Sequence, residues 1–183
     1  MNHRFNDSRA TGNKKFRGKS MGQADSFYYH EALRYFQEAY EKQTQGDLPK
    51  AIELYQKSLE LQPTAEAYTF LGWAYSFQGR FEDAINECKK AIQFDPEYGN
   101  PYNDIGSYLI ETGRYDEAIE WLEKAIQAPR YESYCYPHYN LGRVWEKKGN
   151  WFRAIDCYQN SLKENSEYSL ARKALSRLQG MLN

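Results

Sequence analysis

The chain has 183 residues, 41% of them hydrophobic, and a formal net charge of -1. That is enough for one ordinary folded domain and too apolar for a chain disordered throughout. No run of eighteen apolar residues is present and residues 1–30 lack the apolar core of a signal peptide, so a spanning helix is excluded and a cytoplasmic protein is expected.

Charge is unevenly placed. Residues 1–24 carry Arg4, Arg9, Lys14, Lys15, Arg17 and Lys19 against Asp7 alone, a net of +5, which leaves -6 on the remainder. Residues 1–25, rich in Asn, Gly, Lys and Arg and without periodicity, are predicted to be a disordered basic tail, with the first helix starting near Ser26. The run from Gly12 to Ser20 has five residues between its glycines where a phosphate-binding loop needs four, and no strand precedes it. Contact of the tail with nucleic acid or acidic lipid is conceivable through counterion release, but the acidic body opposes it and no nucleic acid is expected.

Beyond the tail one phrase recurs four times: GDLPKAI from Gly46, GRFEDAI from Gly79, GRYDEAI from Gly113 and GNWFRAI from Gly149, at intervals of 33, 34 and 36 residues. A large apolar residue follows each glycine by two (Leu48, Phe81, Tyr115, Trp151), and Ala-Ile follows by five. Four and seven residues after each Ala come Tyr55, Cys88, Leu122 or Tyr158, and then Ser58, Ala91, Ala125 or Ser161, the spacing of one helix face. Gly72, Gly106 and Gly142 lie seven residues before the next repeat glycine and mark a first helix with a small residue on its packing face. Each unit therefore predicts a helix, a tight turn at a glycine able to adopt the left-handed conformation, and an antiparallel helix packed closely on the first.

Gln62-Pro63 and Asp95-Pro96 read as helix stops, whereas the third unit ends less cleanly at Ala128-Pro129 and carries a two-residue insertion before Pro137. After Ser166, the stripe Tyr168, Ala171, Leu175, Leu178 and Leu182 predicts a capping helix with one polar face.

This pattern of small-x6-Gly, Ala-Ile, aromatic, small and Pro over about 34 residues resembles the tetratricopeptide repeat family across residues 32–166, most closely in GWAYSFQGRFEDAINECKKAIQFDP from Gly72. In the first repeat Ala39 stands where the family usually has glycine. The resemblance implies an all-α fold, a right-handed superhelical solenoid of four helix-turn-helix repeats (26–64, 65–98, 99–134 and 135–166) with a capping helix at 167–183. It also implies a non-catalytic module that binds a protein or peptide in its concave groove.

Catalytic candidates fail individually. His30-Glu31 opens a zinc-protease pattern, but Arg34 stands where the second histidine is needed. Cys88, Cys135 and Cys157 are too scattered for a disulfide framework or a metal pair, and His138 falls at a packing position. No acid, base or nucleophile set emerges, so no enzyme activity, cofactor or metal is expected.

Transferred by the glycine register, the family's groove positions include Phe36 and Tyr40, then Trp73 and Phe77, then Asn103, and finally Tyr136, Tyr139 and Arg143, with Asn140 at the edge. The rings would supply rigid contact area, and Asn103 and Asn140 would donate to and accept from a peptide backbone. Phe70 and Tyr108 are expected to pack on neighbouring helices instead. Family members that seize the acidic carboxy-terminus of heat-shock chaperones use Lys and Asn at places held here by Phe36, Tyr40, Phe70, Asn100 and Asp104, so binding of that tail is not expected. A second reading is self-association through Phe27, Tyr28 and Tyr29 or through the tyrosine-rich junction from Tyr131 to Tyr136.

Overall fold

The computed structural model describes residues 23–182, so the basic segment upstream lies outside the described residues. These form nine helices: α1 (Gln23–Thr44), α2 (Leu48–Leu61), α3 (Ala65–Phe77), α4 (Phe81–Phe94), α5 (Asn100–Glu111), α6 (Tyr115–Gln127), α7 (Cys135–Lys147), α8 (Trp151–Glu164) and α9 (Ser169–Leu182). The fold is an all-α helical repeat solenoid. Helix α1 begins three residues before the expected Ser26 and is about two turns longer than the other odd-numbered helices.

Four turns are built alike. Gly46, Gly79, Gly113 and Gly149 have φ of 85°, 74°, 77° and 73°, the left-handed region that a side chain would strain. The residue after each glycine returns its N–H to the preceding helix: Asp47 to Lys42, Arg80 to Tyr75, Arg114 to Leu109 and Asn150 to Trp145, at 2.8–3.1 Å. That bond closes the helix end, and the same residue starts the next helix. Asp47 and Asn150 cap it by accepting from the backbone N–H of Lys50 and Arg153.

Small residues then set how closely the paired helices approach. A Cβ added at Gly106 would lie 2.5 Å from Leu122, one at Gly142 2.4 Å from Tyr158, and one at Gly72 2.9 Å from the Ala84 carbonyl oxygen. Ala51, Ala84, Ala118 and Ala154 are fully buried on the opposite helices. Ser58 and Ser161 do more than stay small, since their hydroxyls donate to the carbonyls of Ala32 and Cys135 at 2.8 and 2.7 Å. These bonds tie the second helix of the outer repeats to the first, at Ala32 within α1 and at Cys135 where α7 begins.

Each helix packs on its neighbours in sequence, and α1, α3, α5 and α7 also touch one another in a row. The stack therefore bends toward the odd-numbered helices, which run parallel and line the concave face. One end of the stack is closed by α9, where Ala171 and Leu178 bury against Ala154 and Tyr158 and Arg177 reaches Glu146 at 2.6 Å.

The junction at 128–134 departs from the repeat. Residues 97–99 and 130 form a short backbone bridge, with Arg130 N donating to Glu97 O at 3.0 Å and Gly99 N to Arg130 O at 3.1 Å. Tyr131 is buried against Gly99, where a Cβ would lie 2.4 Å from it. Tyr134 Oη donates to Ala128 O. Tyr131 is thus part of the core of the junction, and Tyr134 packs half-buried against it.

Candidate functional site

The concave face opens at α1 and α3 with a chain of touching rings. Phe70 sits centrally, its centroid 5.2 Å from Phe36, 5.8 Å from Tyr40 and 5.6 Å from Trp73, and Trp73 continues to Phe77 at 5.4 Å. Phe36 and Phe70 also rest on Tyr55 of α2, which is fully buried. The cluster is thus anchored in the core at one side and reaches solvent at the other, where Phe77 is 52% exposed. Sequence reasoning assigned Phe70 to packing, and it is the hub on which the groove rings stand.

At the far end Tyr136 and Tyr139 are half-buried. Both meet Tyr168, which precedes α9, edge-on at 5.3 Å, and Tyr139 also lies 5.5 Å from Tyr158. Part of their ring area is therefore used by the cap. Tyr158 Oη donates to Glu146, and burial pushes the Tyr158 and Tyr168 phenols up.

The amides between the two ring clusters turn toward each other. Asn140 Nδ2 donates to Asn103 Oδ1 at 3.0 Å, and both residues are buried. Arg143 donates to Asn140 Oδ1 at 3.2 Å and to Glu111 at 2.6 Å. The expectation of two amides open to a peptide backbone is thus corrected in one respect: most of their hydrogen-bonding capacity is spent across the α5–α7 contact. Alongside, Gln43 is buried and accepts from Tyr55 Oη, and Thr69 returns its hydroxyl to Ala65 O.

Above this network lies a small recess lined by Asn100, Asn103, Asp104, Tyr131, Ser133 and Tyr136. Burial pushes the Asp104 carboxyl up to about 7, opposed only weakly by the 3.4 Å bond from Asn103. Sequence reasoning named this residue only as a place where the clamp is missing. In the junction between α6 and α7, Arg130 binds Glu66 at 2.9 Å and Asp95 at 2.8 Å with its guanidinium 4.3 Å from the Tyr98 ring centre. One arginine thereby joins α3, the α4–α5 turn and the α6–α7 junction.

Thiols are buried or half-buried; burial raises Cys88 well above the ordinary range and Cys157 to about 11. Neither is poised as a nucleophile. His138 is shifted down by burial, consistent with a packing position.

A curved stack of antiparallel helix pairs with a ring-lined inner face defines a helical-repeat interaction module. The chain belongs to the tetratricopeptide repeat family, whose models match residues 42–97, 77–130 and 135–168. It is similar to small glutamine-rich tetratricopeptide repeat-containing protein 2 of Mycosarcoma maydis, with 37% identity over 82 residues, covering 44% of this chain and 23% of that protein. It is also similar to photosystem I assembly protein Ycf3 of Prochlorococcus marinus, with 27% identity over 118 residues, 58% of this chain and 68% of that one. The structure resembles Pseudomonas aeruginosa PilF with a TM-score of 0.77 and 24% identity, covering 83% of this chain and 69% of that one. Several of the matched proteins are much longer, and the chain spans less than a quarter of the Mycosarcoma protein. Among the described residues no helix is long and apolar enough to cross a membrane.

Proposed function

We propose that this protein is a non-catalytic adaptor or assembly chaperone whose concave face holds a segment of a partner protein. The observation that carries the reading is the ring chain from Phe36 through Phe70 and Trp73 to the half-exposed Phe77. Rings held by a buried tyrosine are rigid before the ligand arrives, so little ordering entropy is lost on binding. Apolar side chains of an extended or helical segment would seat at Phe36, Tyr40, Trp73 and Phe77. Arg143 and the edges of Tyr136, Tyr139, Asn103 and Asn140 would contact its other end. That the relatives include an assembly protein supports the chaperone form of the reading.

The test is affinity capture from the native cell with the wild-type chain and with Trp73→Ala/Phe77→Ala, two groove rings that are not fully buried. The expected result is partners lost from the variant while its helical circular dichroism is retained. Identical partners on both chains would overturn the reading.

Self-association has one observation in its favour. Phe27, Tyr28 and Tyr29, on the two extra turns of α1, are 63%, 50% and 42% exposed. Light scattering at high concentration separates the two, since a monomer leaves only the groove reading.

A further inference from the structure

Helix α9 closes the stack, yet it also repeats α7. Shifting α7 by 34 residues lays Pro137 on Ala171, Val144 on Leu178, Arg143 on Arg177 and Lys147 on Met181. Burial follows the same register, since the first two pairs are buried and Lys147 and Met181 are both exposed. The contacts repeat as well. Arg143 of α7 reaches back to Glu111 of α5 at 2.6 Å, and Arg177 of α9 reaches back to Glu146 of α7 at 2.6 Å. Burial raises the Tyr139 phenol of α7, and both Arg143 and Arg177 work against that rise. Helix α9 therefore takes the place of a fifth first helix, and the concave face continues across it.

What α9 loses and what it keeps separate two roles. On α7 the side that holds the second helix presents Gly142 against Tyr158, and Trp145 against Arg153. The same register puts Ser176 and Gln179 there, both exposed, so a further helix gains little by packing on that side. The inner side keeps contact residues: Leu170 and Met181 are 44% and 63% exposed, with Lys173 and Arg177 between them. A helix that only ended the stack would be polar on both sides.

Charge is graded along the inner helices. Helices α1, α3 and α5 each carry more acidic than basic residues, whereas α9 carries Arg172, Lys173 and Arg177 and no acid. Lys147 and Lys173 are exposed, and among the described residues no carboxylate pairs with either. An acidic segment is thus repelled from one end of the groove and attracted to the other.

We infer that α9 extends the partner site, and that the partner is a protein segment apolar at one end and acidic at the other. Its apolar side chains sit on the rings of α1 and α3, its acidic ones at Lys147, Lys173 and Arg177. From Trp73 to Lys173 is three spacings of neighbouring first helices, about 30 Å, which an extended segment crosses in about nine residues. The apolar end rests on the groove reading above, whereas the acidic end rests on α7 and α9.

Fluorescence anisotropy of labelled peptides on the intact chain tests this. The probe has about twelve residues, leucines at one end and glutamates at the other across a Gly-Ser spacer, made in both chain directions. Its counterpart has glutamine for glutamate. The glutamate peptide, in one direction, should bind about tenfold more tightly at low salt, and high salt should erase the preference. Lys147→Gln/Lys173→Gln should cut it to about twofold or less. Lys89→Gln/Lys163→Gln, the same charge lost from exposed positions of α4 and α8, should keep it. Circular dichroism confirms that both variants are folded. No preference for glutamate in the wild type, absence of binding included, overturns the inference. So does a preference kept in both variants or lost equally in both. An oligothymidylate of similar charge that displaces the peptide equally well overturns it too, because the site would then take any polyanion. Trp73→Ala/Phe77→Ala should weaken both peptides alike. If it weakens neither while the lysine effect stands, the ring reading fails and the α9 site remains. The reverse result leaves the rings and removes α9.

Discussion

Asn140 of α7 donates its side-chain amide to Asn103 of α5 at 3.0 Å, and the two residues are 7% and 5% exposed. Each amide completes the other where the helices meet, and Arg143 adds a bond to Asn140 Oδ1. Asn140→Ala strands the Asn103 oxygen in a site with little water, a loss expected to cost about 1–3 kcal/mol. Removing both amides should cost less than the two single changes together, since the second deletes a group already orphaned. Urea unfolding of the four chains of this cycle measures the coupling. Strict additivity would mean that the amides act independently.

Gly142 and Gly180 are both helical glycines, and alanine should act on them in opposite directions. A methyl at Gly142 would lie 2.4 Å from the Tyr158 ring. That ring is 1% exposed, packs on Tyr139 and donates its hydroxyl to Glu146, so it cannot swing aside. Overpacking of this kind destabilises by about 1–3 kcal/mol. At Gly180 nothing lies within 4 Å, and the gain in helix propensity should stabilise by about 0.5–1 kcal/mol. Thermal melts of the two variants should move to either side of the parent. A neutral Gly142→Ala would show that α7 and α8 are less tightly apposed than described.

The helix pairs were legible in the sequence because their geometry is local. A glycine turn, a small residue seven before it and an alanine five after it fix two helices without knowledge of any other repeat. The groove was only half legible. Register placed Phe36, Tyr40, Trp73 and Phe77 on the inner face, but the partners of Asn103 and Asn140 depend on how α5 leans on α7, which no spacing encodes. Ser58 and Ser161 read merely as small, and their bonds to Ala32 and Cys135 needed the approach distance. Arg130 escaped notice because it lies in the junction, where the repeat register is broken and composition gives no pairing. Asp104 was read only as the absence of a clamp lysine, since burial of one carboxylate is set by three elements at once.

Arg130 should matter more than its surface position suggests. An isolated ion pair with a side chain 42% exposed contributes little, below about 1 kcal/mol. Here one guanidinium bonds two carboxylates and stacks on Tyr98, joining segments 64 and 35 residues apart. Arg130→Ala is expected to cost about 1–2 kcal/mol, through both charge and stacking. Arg130→Lys should recover less than half of that, because an ammonium can neither fork nor stack in the same way. Urea melts at low and high salt separate the contributions, as the stacking part persists when the ionic part is screened. Full recovery by lysine would reduce the site to simple charge pairing.

The Asp104 carboxyl links stability to pH, with the sign set by burial. Its folded-state value of about 7 lies above the ordinary 3.8, so the folded chain holds the proton more tightly than the unfolded one. The stabilising contribution is complete below about pH 4 and is lost as pH rises toward 7, after which the full cost of ionisation remains. Cys88 of α4, Tyr98 before α5, Tyr108 of α5 and Tyr131 of the junction face this carboxyl, and burial raises all four, so they stay neutral through that window. His138 titrates nearby in pH but is common to both chains compared and cancels. Asp104→Asn should leave stability unchanged near pH 4 and raise it by about 2 kcal/mol at pH 8, half the value for a fully enclosed carboxyl because Asp104 is only partly shielded. Denaturant midpoints across this pH range decide the matter, and an equal gain at both ends would remove Asp104 as their cause.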